Sequence, residues 1–176
     1  MKDNKLKLRL LHDDENDYKI LEKWYQEEEI YSHFEQRKLT YKEVKSKYFP
    51  RTLKDTKVPV FMIEYHNKSI GIIQYQLINE KNKKLYNISN NNCYEIDIFI
   101  GELNLHNKGI GKRSVKLLIN YLFEEKKAKL LVMCPLKENV SAIKCYENCG
   151  FIIKKYFKTE DTIGNMQEFV LMTMEK

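Results

Sequence analysis

Phe99-Ile100-Gly101, followed after a short polar loop by Asn107-Lys108-Gly109-Ile110-Gly111-Lys112-Arg113, is the most informative part of the sequence. A strand ends here, and two glycines spaced by one residue open a long helix. Glycines at such a junction let the backbone approach a ligand closely, and the unpaired N–H groups of a first helical turn bind phosphate. A lone Gly-x-Gly is a weak motif, so a glycine-softened loop with solvated lysines is the alternative. Neither the Walker phosphate loop nor the Rossmann glycine motif occurs in the sequence.

Strands and helices alternate on either side of this junction. Alternating or continuous apolar runs predict strands over 5–10, 58–65, 69–77, 93–101, 130–134, 150–153 and 169–174. Helical spacing predicts helices over 13–26, 40–48, 109–126 and 139–148, the second opened by a capping box at Thr40 and Glu43. The polar stretch 81–92 is predicted to be a mobile loop or hairpin tip. Without repeats or linkers, the sequence indicates one domain over 1–176, a mixed α/β sandwich.

Composition excludes several classes of protein. The chain has 176 residues, of which 43% are hydrophobic, so a disordered chain is excluded. No apolar run approaches the ~20 residues that span a bilayer, and the N-terminus has no secretory pattern, which predicts a soluble cytoplasmic protein. The four cysteines have no metal-ligand spacing with the four histidines. We therefore expect buried thiols in a reducing compartment, with no disulfide and no metal.

The net charge of +6 is unevenly distributed. Residues 13–35 carry nine acids against two lysines, whereas residues 106–129 carry seven bases against two acids. The basic stretch suits an anionic ligand at the helix start, and the acidic stretch suits a cationic one. Solvated helix faces are the alternative in both cases.

A second segment of the sequence supports a functional interpretation of this strand–helix junction. Asn139-x-x-Ala142-x-x-x-Tyr146-x-x-x-Gly150-Phe151 follows the glycine-opened helix. Together, the two segments resemble motifs A and B of the GCN5-related N-acetyltransferase (GNAT) superfamily, and His106-x-x-Gly109-x-Gly111 is similar to its pyrophosphate loop. The resemblance is good over 93–157 and looser in the N-terminal half.

The resemblance implies a mostly antiparallel sheet with one splayed parallel strand pair and helices on both faces. It implies acetyl-CoA as cosubstrate, with the pyrophosphate held by Lys108, Gly109, Ile110, Gly111, Lys112 and Arg113. The pantetheine would pair with the exposed strand edge and with Asn139, beside Ala142, and a backbone N–H at Ile98, Phe99 or Ile100 would polarise the thioester. Tyr146 would protonate the leaving thiolate, unless it is simply one of twelve tyrosines in the core.

A closer resemblance is to the aminoglycoside 6'-N-acetyltransferases. It rests on Glu95-Ile96-Asp97-Ile98-Phe99-Ile100-Gly101-Glu102, on Leu21-Glu22-Lys23-Trp24-Tyr25, and on Ile70-Gly71-Ile72-Ile73-Gln74-Tyr75. It implies that Asp97 is the active-site acid, as a base or by positioning the amine, and that Trp24, Tyr25, Gln74, Glu95 and Asp97 contact the acceptor. Two positions depart from that family, which has Gln at position 98 and an acid at position 134, where this chain has Ile98 and Cys134.

The function expected is acetyl-CoA-dependent acetylation of a 6'-amino aminoglycoside by direct transfer, which confers antibiotic resistance. An alternative keeps the chemistry and changes the acceptor to a polyamine, a siderophore precursor or a protein amine. A third is a non-catalytic module that binds acyl-CoA or nucleic acid. We expect no nucleic-acid or membrane partner, and a monomer or homodimer.

Overall fold

A computed structural model describes residues 1–3 and 5–176. Within these residues, eight strands form one sheet in the order β1-β2-β3-β4-β5-β6-β8-β7. They are β1 Lys2–Asp3, β2 Leu6–Leu10, β3 Val60–Tyr65, β4 Lys68–Leu77, β5 Cys93–Ile100, β6 Leu130–Met133, β7 Ile152–Glu160 and β8 Met166–Glu175. Neighbouring strands are antiparallel except β5 and β6, which are parallel. The predicted sheet is therefore confirmed.

The described part of the chain contains six α-helices. They are α1 Glu15–Trp24, α2 Glu28–Phe34, α3 Tyr41–Tyr48, α4 Glu80–Tyr86, α5 Ile110–Glu124 and α6 Val140–Glu147, with short 3-10 turns at Phe49–Arg51 and Leu103–Leu105. The predicted capping box is present, since Thr40 accepts from the Glu43 N–H and Glu43 accepts from the Thr40 N–H. None of the described helices has the length and apolar character required to cross a membrane.

The prediction of a loop over 81–92 is wrong, because α4 occupies its first half. Asn79 caps this helix by accepting from the Asn82 N–H, and Tyr86 is its one buried residue. A helix with a single buried side chain shows no apolar periodicity, so the sequence pattern could not reveal it. Likewise, β7 extends to Glu160 as a largely exposed strand.

The two faces of the sheet carry different helices. Alternate residues of β5 point to opposite faces, so Tyr94 and Ile96 pack with α5 and α6, whereas Phe99 packs with α1, α2 and α3. The apolar residues predicted to face inward on α5 are all buried: Ile110, Val115, Leu118, Ile119 and Leu122. A smaller cluster beneath α4 joins Tyr86 to β6 and β8. Helices on both faces are thus confirmed.

Strands β5 and β6 part halfway along their length. Their paired residues end at Glu95 opposite Val132, whereas β4 accompanies β5 as far as Ile100. The β5 edge over 97–100 therefore faces a gap in the middle of the sheet, on the side away from β4. The candidate active site lies at that gap.

Candidate active site

A cleft of about 920 Å³ opens where β5 and β6 part. The start of α5 and the inner side of α6 form one wall, and α2 forms another. Residues of both β5 faces reach it, including Asp97, Ile98, Phe99 and Ile100. The cleft therefore connects the two faces of the sheet through the gap. Of the predicted site residues, those that line it are Asp97, Ile98, Phe99, Ile100, Gly109, Ile110, Gly111, Lys112, Asn139, Ala142 and Tyr146.

The loop before α5 is shaped as an anion cradle. Gly109 has φ +72° and immediately precedes α5, whose first backbone hydrogen bond runs from the Arg113 N–H to the Gly109 oxygen at 3.1 Å. The N–H groups of the first turn, from Ile110 to Lys112, thus have no intrahelical acceptor. A Cβ added at Gly109 would meet nothing within 4 Å, so there is open space next to these donors. A phosphate fits here on the positive end of the helix dipole.

Two of the predicted phosphate contacts lie outside the cleft lining. Lys108 is exposed on the loop, and the Arg113 guanidinium carbon lies 5.9 Å from the centroid of the Tyr65 ring. Lys112 lines the cleft. Of the three basic residues predicted to contact the pyrophosphate, the cleft brings Lys112 together with the first turn of α5.

Asp97 lies at the end of a polar chain. Gln74, directly opposite on β4, donates to Asp97 Oδ2 at 2.9 Å, and Arg51 donates to Gln74 Oε1 at 2.6 Å. Burial raises the pKa of Asp97, while the Gln74 hydrogen bond and the charges of Arg51 and Lys47 oppose that rise. A carboxylate with a raised pKa at the cleft can hold or accept a proton more readily than an ordinary one.

Glu95 is predicted to contact an acceptor, but it lies behind Asp97 and outside the cleft lining. Only 7% of Glu95 is exposed, and its carboxylate accepts from the Tyr86 hydroxyl at 2.7 Å and from Gln76 and Asn82 at 3.3 Å. Burial raises its pKa, and the nearby charge of Asp97 adds to the effect. The residue anchors α4 to the sheet, so its position does not support direct contact with an acceptor.

Trp24 and Tyr25 are likewise predicted to contact an acceptor, and the structure buries both completely. Trp24 Nε1 donates to Glu102 at 3.0 Å, and the Tyr25 and Tyr48 hydroxyls are 2.6 Å apart. Both rings pack edge-on against Phe99, with centroids at 5.9 and 5.6 Å. They support the floor of the cleft, and their position does not support acceptor contact. Gln74 is also outside the lining and acts on the cleft through Asp97.

Tyr146 and Asn139 project from α6 and from its N-cap. Burial raises the pKa of the Tyr146 phenol, so its hydroxyl keeps its proton at neutral pH. Asn139 Oδ1 accepts from the Ala142 N–H at 3.0 Å and caps α6. Its carbonyl oxygen is thus engaged, and its amide N–H groups are the part that would donate to a ligand.

One wall of the cleft was missed by sequence reasoning. Helix α2 contributes Glu29, Ile30, His33 and Phe34 to the lining. The tip of the β7–β8 hairpin fastens its end, since the Thr162 hydroxyl donates to the Glu35 carbonyl at 2.7 Å and the Thr162 N–H donates to Gln36 Oε1 at 3.3 Å. The sequence pattern that could have revealed this wall is the spacing of Glu29 and His33, because residues four apart share one face of a helix.

The acidic stretch 13–35, all of which is described, is mainly structural. Asp14 caps α1, Asp17 pairs with Arg9, and Glu22 accepts from the Tyr41 N–H at 2.9 Å. Within this stretch, Glu29 is the acid that lines the cleft. Of the nine acids in the predicted acidic stretch, Glu29 alone is therefore placed to meet a cationic ligand in the cleft.

Comparison with known proteins agrees with this geometry. The model of the family described as Acetyltransferase (GNAT) domain matches residues 13–159. Aminoglycoside N(6')-acetyltransferases type 1 of Klebsiella pneumoniae and Serratia marcescens are each 24% identical over 140 residues, which span 78% of this chain and 70% of theirs.

Solved structures share the fold. Aminoglycoside acetyltransferase AAC(6')-Ib in complex with coenzyme A has a TM-score of 0.81 at 22% identity and covers 97% of this chain and 95% of its own. Spermidine N-acetyltransferase from Vibrio cholerae with CoA and spermine has a TM-score of 0.78 at 21% identity, covering 98% and 96%. With the glycine-opened helix, the parted strands and the matched sequence model in agreement, the chain belongs to the GNAT acetyltransferase family.

Proposed function

We propose that this protein acetylates the 6'-amino group of an aminoglycoside, with acetyl-CoA as the donor. The observation that carries the proposal is Asp97, a carboxylate with a raised pKa that lies where β5 leaves β6, within the same cleft as the phosphate cradle and Tyr146. An acetyl acceptor of this type is a polycation, and a carboxylate is the group that attracts and orients an ammonium. Relatives 24% identical to this chain carry the same activity in their names.

The residues of the cleft fit coenzyme A. Its pyrophosphate suits the N–H donors from Ile110 to Lys112, where the open side of Gly109 leaves room. Its pantetheine carries amides that suit the β5 edge over 97–100, which faces the gap. When bound, acetyl-CoA supplies a thioester carbonyl that an amine can attack.

Three groups of this chain would then act on the reaction. A backbone N–H of β5 near Ile98 to Ile100 donates to the carbonyl oxygen as negative charge develops there. Asp97 holds the acceptor's ammonium and accepts its proton directly or through water, so that the amine lone pair becomes available. Tyr146 donates its phenolic proton to the departing sulfur.

A panel of acceptors tests the proposal. The free thiol released from acetyl-CoA is measured with kanamycin and tobramycin, with aminoglycosides that lack a 6'-amine, and with spermidine. We expect turnover that requires the 6'-amine, and product mass spectra that show one added acetyl group at that position. If coenzyme A binds but no aminoglycoside is turned over, the acceptor assignment is wrong.

A second candidate acceptor is a linear polyamine. The carboxylates among the residues lining the cleft are Asp97 and Glu29, and a pair of charges matches the spaced ammonium groups of a short polyamine. A spermidine acetyltransferase shares the fold. Turnover of spermidine in the same panel, at a kcat/KM above that of every aminoglycoside, would favour this candidate.

A further inference from the structure

The side-chain amide of Gln74 lies between a cation and the acid of the cleft. Gln74 on β4 is 7% exposed and lies directly opposite Asp97 on β5. Arg51, at the end of the 3-10 turn after α3, donates from Nη1 to Gln74 Oε1 at 2.6 Å. Gln74 Nε2 in turn donates to Asp97 Oδ2 at 2.9 Å. Arg51 is therefore connected to Asp97 by two hydrogen bonds in series, through one buried side chain.

The two partners of this amide determine its orientation. An amide can accept with its oxygen and donate with its nitrogen, whereas a guanidinium can only donate. Gln74 must therefore present its oxygen to Arg51, which leaves its nitrogen for Asp97. In the opposite orientation, the amide nitrogen would face the guanidinium and the amide oxygen would face the carboxylate. A donor at Asp97 Oδ2 favours the ionised carboxylate, whereas an acceptor there would favour the protonated acid.

Arg51 is itself held in place by its own turn and by an aromatic ring. Its guanidinium carbon lies 5.2 Å from the centroid of the Tyr48 ring, which is a cation–π contact. The N–H and the hydroxyl of Thr52 both donate to the Phe49 carbonyl oxygen, at 3.0 and 2.8 Å, and close the turn that carries Arg51. The guanidinium is thus positioned by contacts within the protein, before any acceptor binds.

We propose that Arg51 is a positioning residue that keeps Asp97 ready to accept a proton by fixing the orientation of the Gln74 amide. Because the amide N–H occupies Asp97 Oδ2, the proton of the acceptor goes to Oδ1. Among the described residues, Oδ1 has no hydrogen-bond partner, and no side-chain oxygen without a partner is buried, so Oδ1 is open to solvent at the cleft that Asp97 lines. The proton transfer rests on the proposed function, whereas the orientation of the amide does not.

Other ionisable groups surround Asp97, and Arg51 differs from them in how it acts. They come from α1, α3, β5, β6 and α6 and the residues that directly follow them: Tyr25, Lys47, Tyr48, Glu95, Cys134 and Tyr146. Within the described part of the chain, none of these donates a hydrogen bond to the Asp97 carboxylate or to Gln74. Their charges should therefore act on Asp97 whether or not Gln74 is present, whereas the hydrogen bond of Arg51 requires Gln74.

A double-mutant cycle tests this dependence. The kcat/KM for kanamycin is measured as thiol release across the acid limb in Arg51→Met, in Gln74→Met and in the double variant. In each single variant we expect the limb to move up by about one pH unit, so that the rate is about tenfold lower below the limb and unchanged above it, as for one lost hydrogen bond to a charged group. The double variant should lose no more than about threefold beyond Gln74→Met.

Two results of this cycle would overturn the proposal. A further loss above about threefold in the double variant would show that Arg51 acts without the amide. An equal loss at every pH in Arg51→Met would indicate a structural role only. Lys47→Met is the matched control, because Lys47 lies on α3 four residues before Arg51 and acts on Asp97 by charge. Its effect should be the same with and without Gln74→Met, and the same dependence on Gln74 for both cations would contradict a specific role for Arg51.

A titration without any acceptor separates this proposal from the proposed function. In the full-length protein with ¹³C-labelled aspartate, the carboxyl resonance of Asp97 reports its protonation directly, and we expect its midpoint to rise in Arg51→Met and in Gln74→Met. If the midpoint rises but no aminoglycoside is turned over, the acceptor assignment is wrong and the positioning role of Arg51 stands. If aminoglycosides are turned over but the midpoint stays unchanged in Arg51→Met, the positioning role is wrong and the proposed function stands.

Discussion

At the scale of the residue, the environment of the Asp97 carboxylate depends on the register between β4 and β5. Because Gln74 lies directly opposite, its side-chain amide holds one carboxylate oxygen of Asp97, a residue that lines the cleft. We expect Asp97→Asn to lower kcat/KM for the acceptor at least about 100-fold, since the amide can neither accept a proton nor attract an ammonium. Steady-state thiol release measures this, and Asp55→Asn, an exposed acid, is the control. A variant that retains more than a tenth of the rate would contradict the role of Asp97.

The pKa of the same residue predicts a pH dependence. Asp97 acts ionised, so kcat/KM falls as the pH drops through its pKa, and burial places this acid limb above the ordinary range near ~4. The charge of Arg51 holds the pKa down, so Arg51→Met should move the limb to higher pH. Lys54 is an exposed lysine three residues after Arg51, and Lys54→Met should leave the acid limb where it is. Identical limbs in both variants would exclude Asp97 as the titrating group.

At the scale of the element, the start of α5 places the strictest requirement on residue type, at Gly109. Gly109 combines a positive φ with open space on its outer side. We expect Gly109→Ala to raise the dissociation constant of coenzyme A about tenfold, because a methyl group enters the space for the anion and the backbone is strained. Gly164→Ala is a matched control, since Gly164 also has a positive φ and open surroundings at the β7–β8 tip. Calorimetry should show an effect on binding for Gly109 only, and equal weakening in both would point to strain alone.

Elements were predictable where many of their residues are buried. The inward positions of α5 recur at helical spacing, and β6 is a continuous apolar run, so the sequence predicts both. Helices α2 and α4 each bury one residue and give no period. Because α2 forms a wall of the cleft and α4 covers Glu95, the sequence predicted the wall formed by α5 and α6 better than the wall formed by α2. Contacts such as Glu95 with Tyr86 depend on tertiary placement, which a pattern along one chain does not encode.

At the scale of the whole molecule, a buried ionic network ties β2 to α1 and β3. Arg9 donates to both Asp17 oxygens at 2.9 and 2.8 Å and to Glu64 at 2.6 Å, and Asp17 is 2% exposed. We expect Arg9→Met to lower the free energy of unfolding by about 3 kcal/mol, because it leaves Asp17 charged and unpaired. Urea unfolding at pH 7 measures this, with Lys19→Met, part of an exposed pair with Glu15, as a control without measurable change.

The network also predicts how stability depends on pH. Burial alone would raise the pKa of Asp17, but hydrogen bonds from Arg9 and the His12 N–H outweigh it and lower the pKa. The resulting stability is complete above the unfolded pKa of about 4 and is lost as the pH falls through the lower folded value. Acid titration should therefore weaken the unaltered protein more than Arg9→Met. Parallel curves would contradict this contribution.

The contact between Thr162 and the end of α2 has a consequence for how the protein is made. The two partners of the Thr162–Gln36 bond are 126 residues apart in sequence. At about 5–20 residues per second, the ribosome releases Thr162 roughly 6–25 s after Gln36. In a nascent chain, α2 and its apolar face are therefore exposed before Thr162, which binds the end of this helix, has been synthesised. The wall formed by α2 therefore gains this contact only after α5 and α6, which form the other wall of the cleft, have been synthesised.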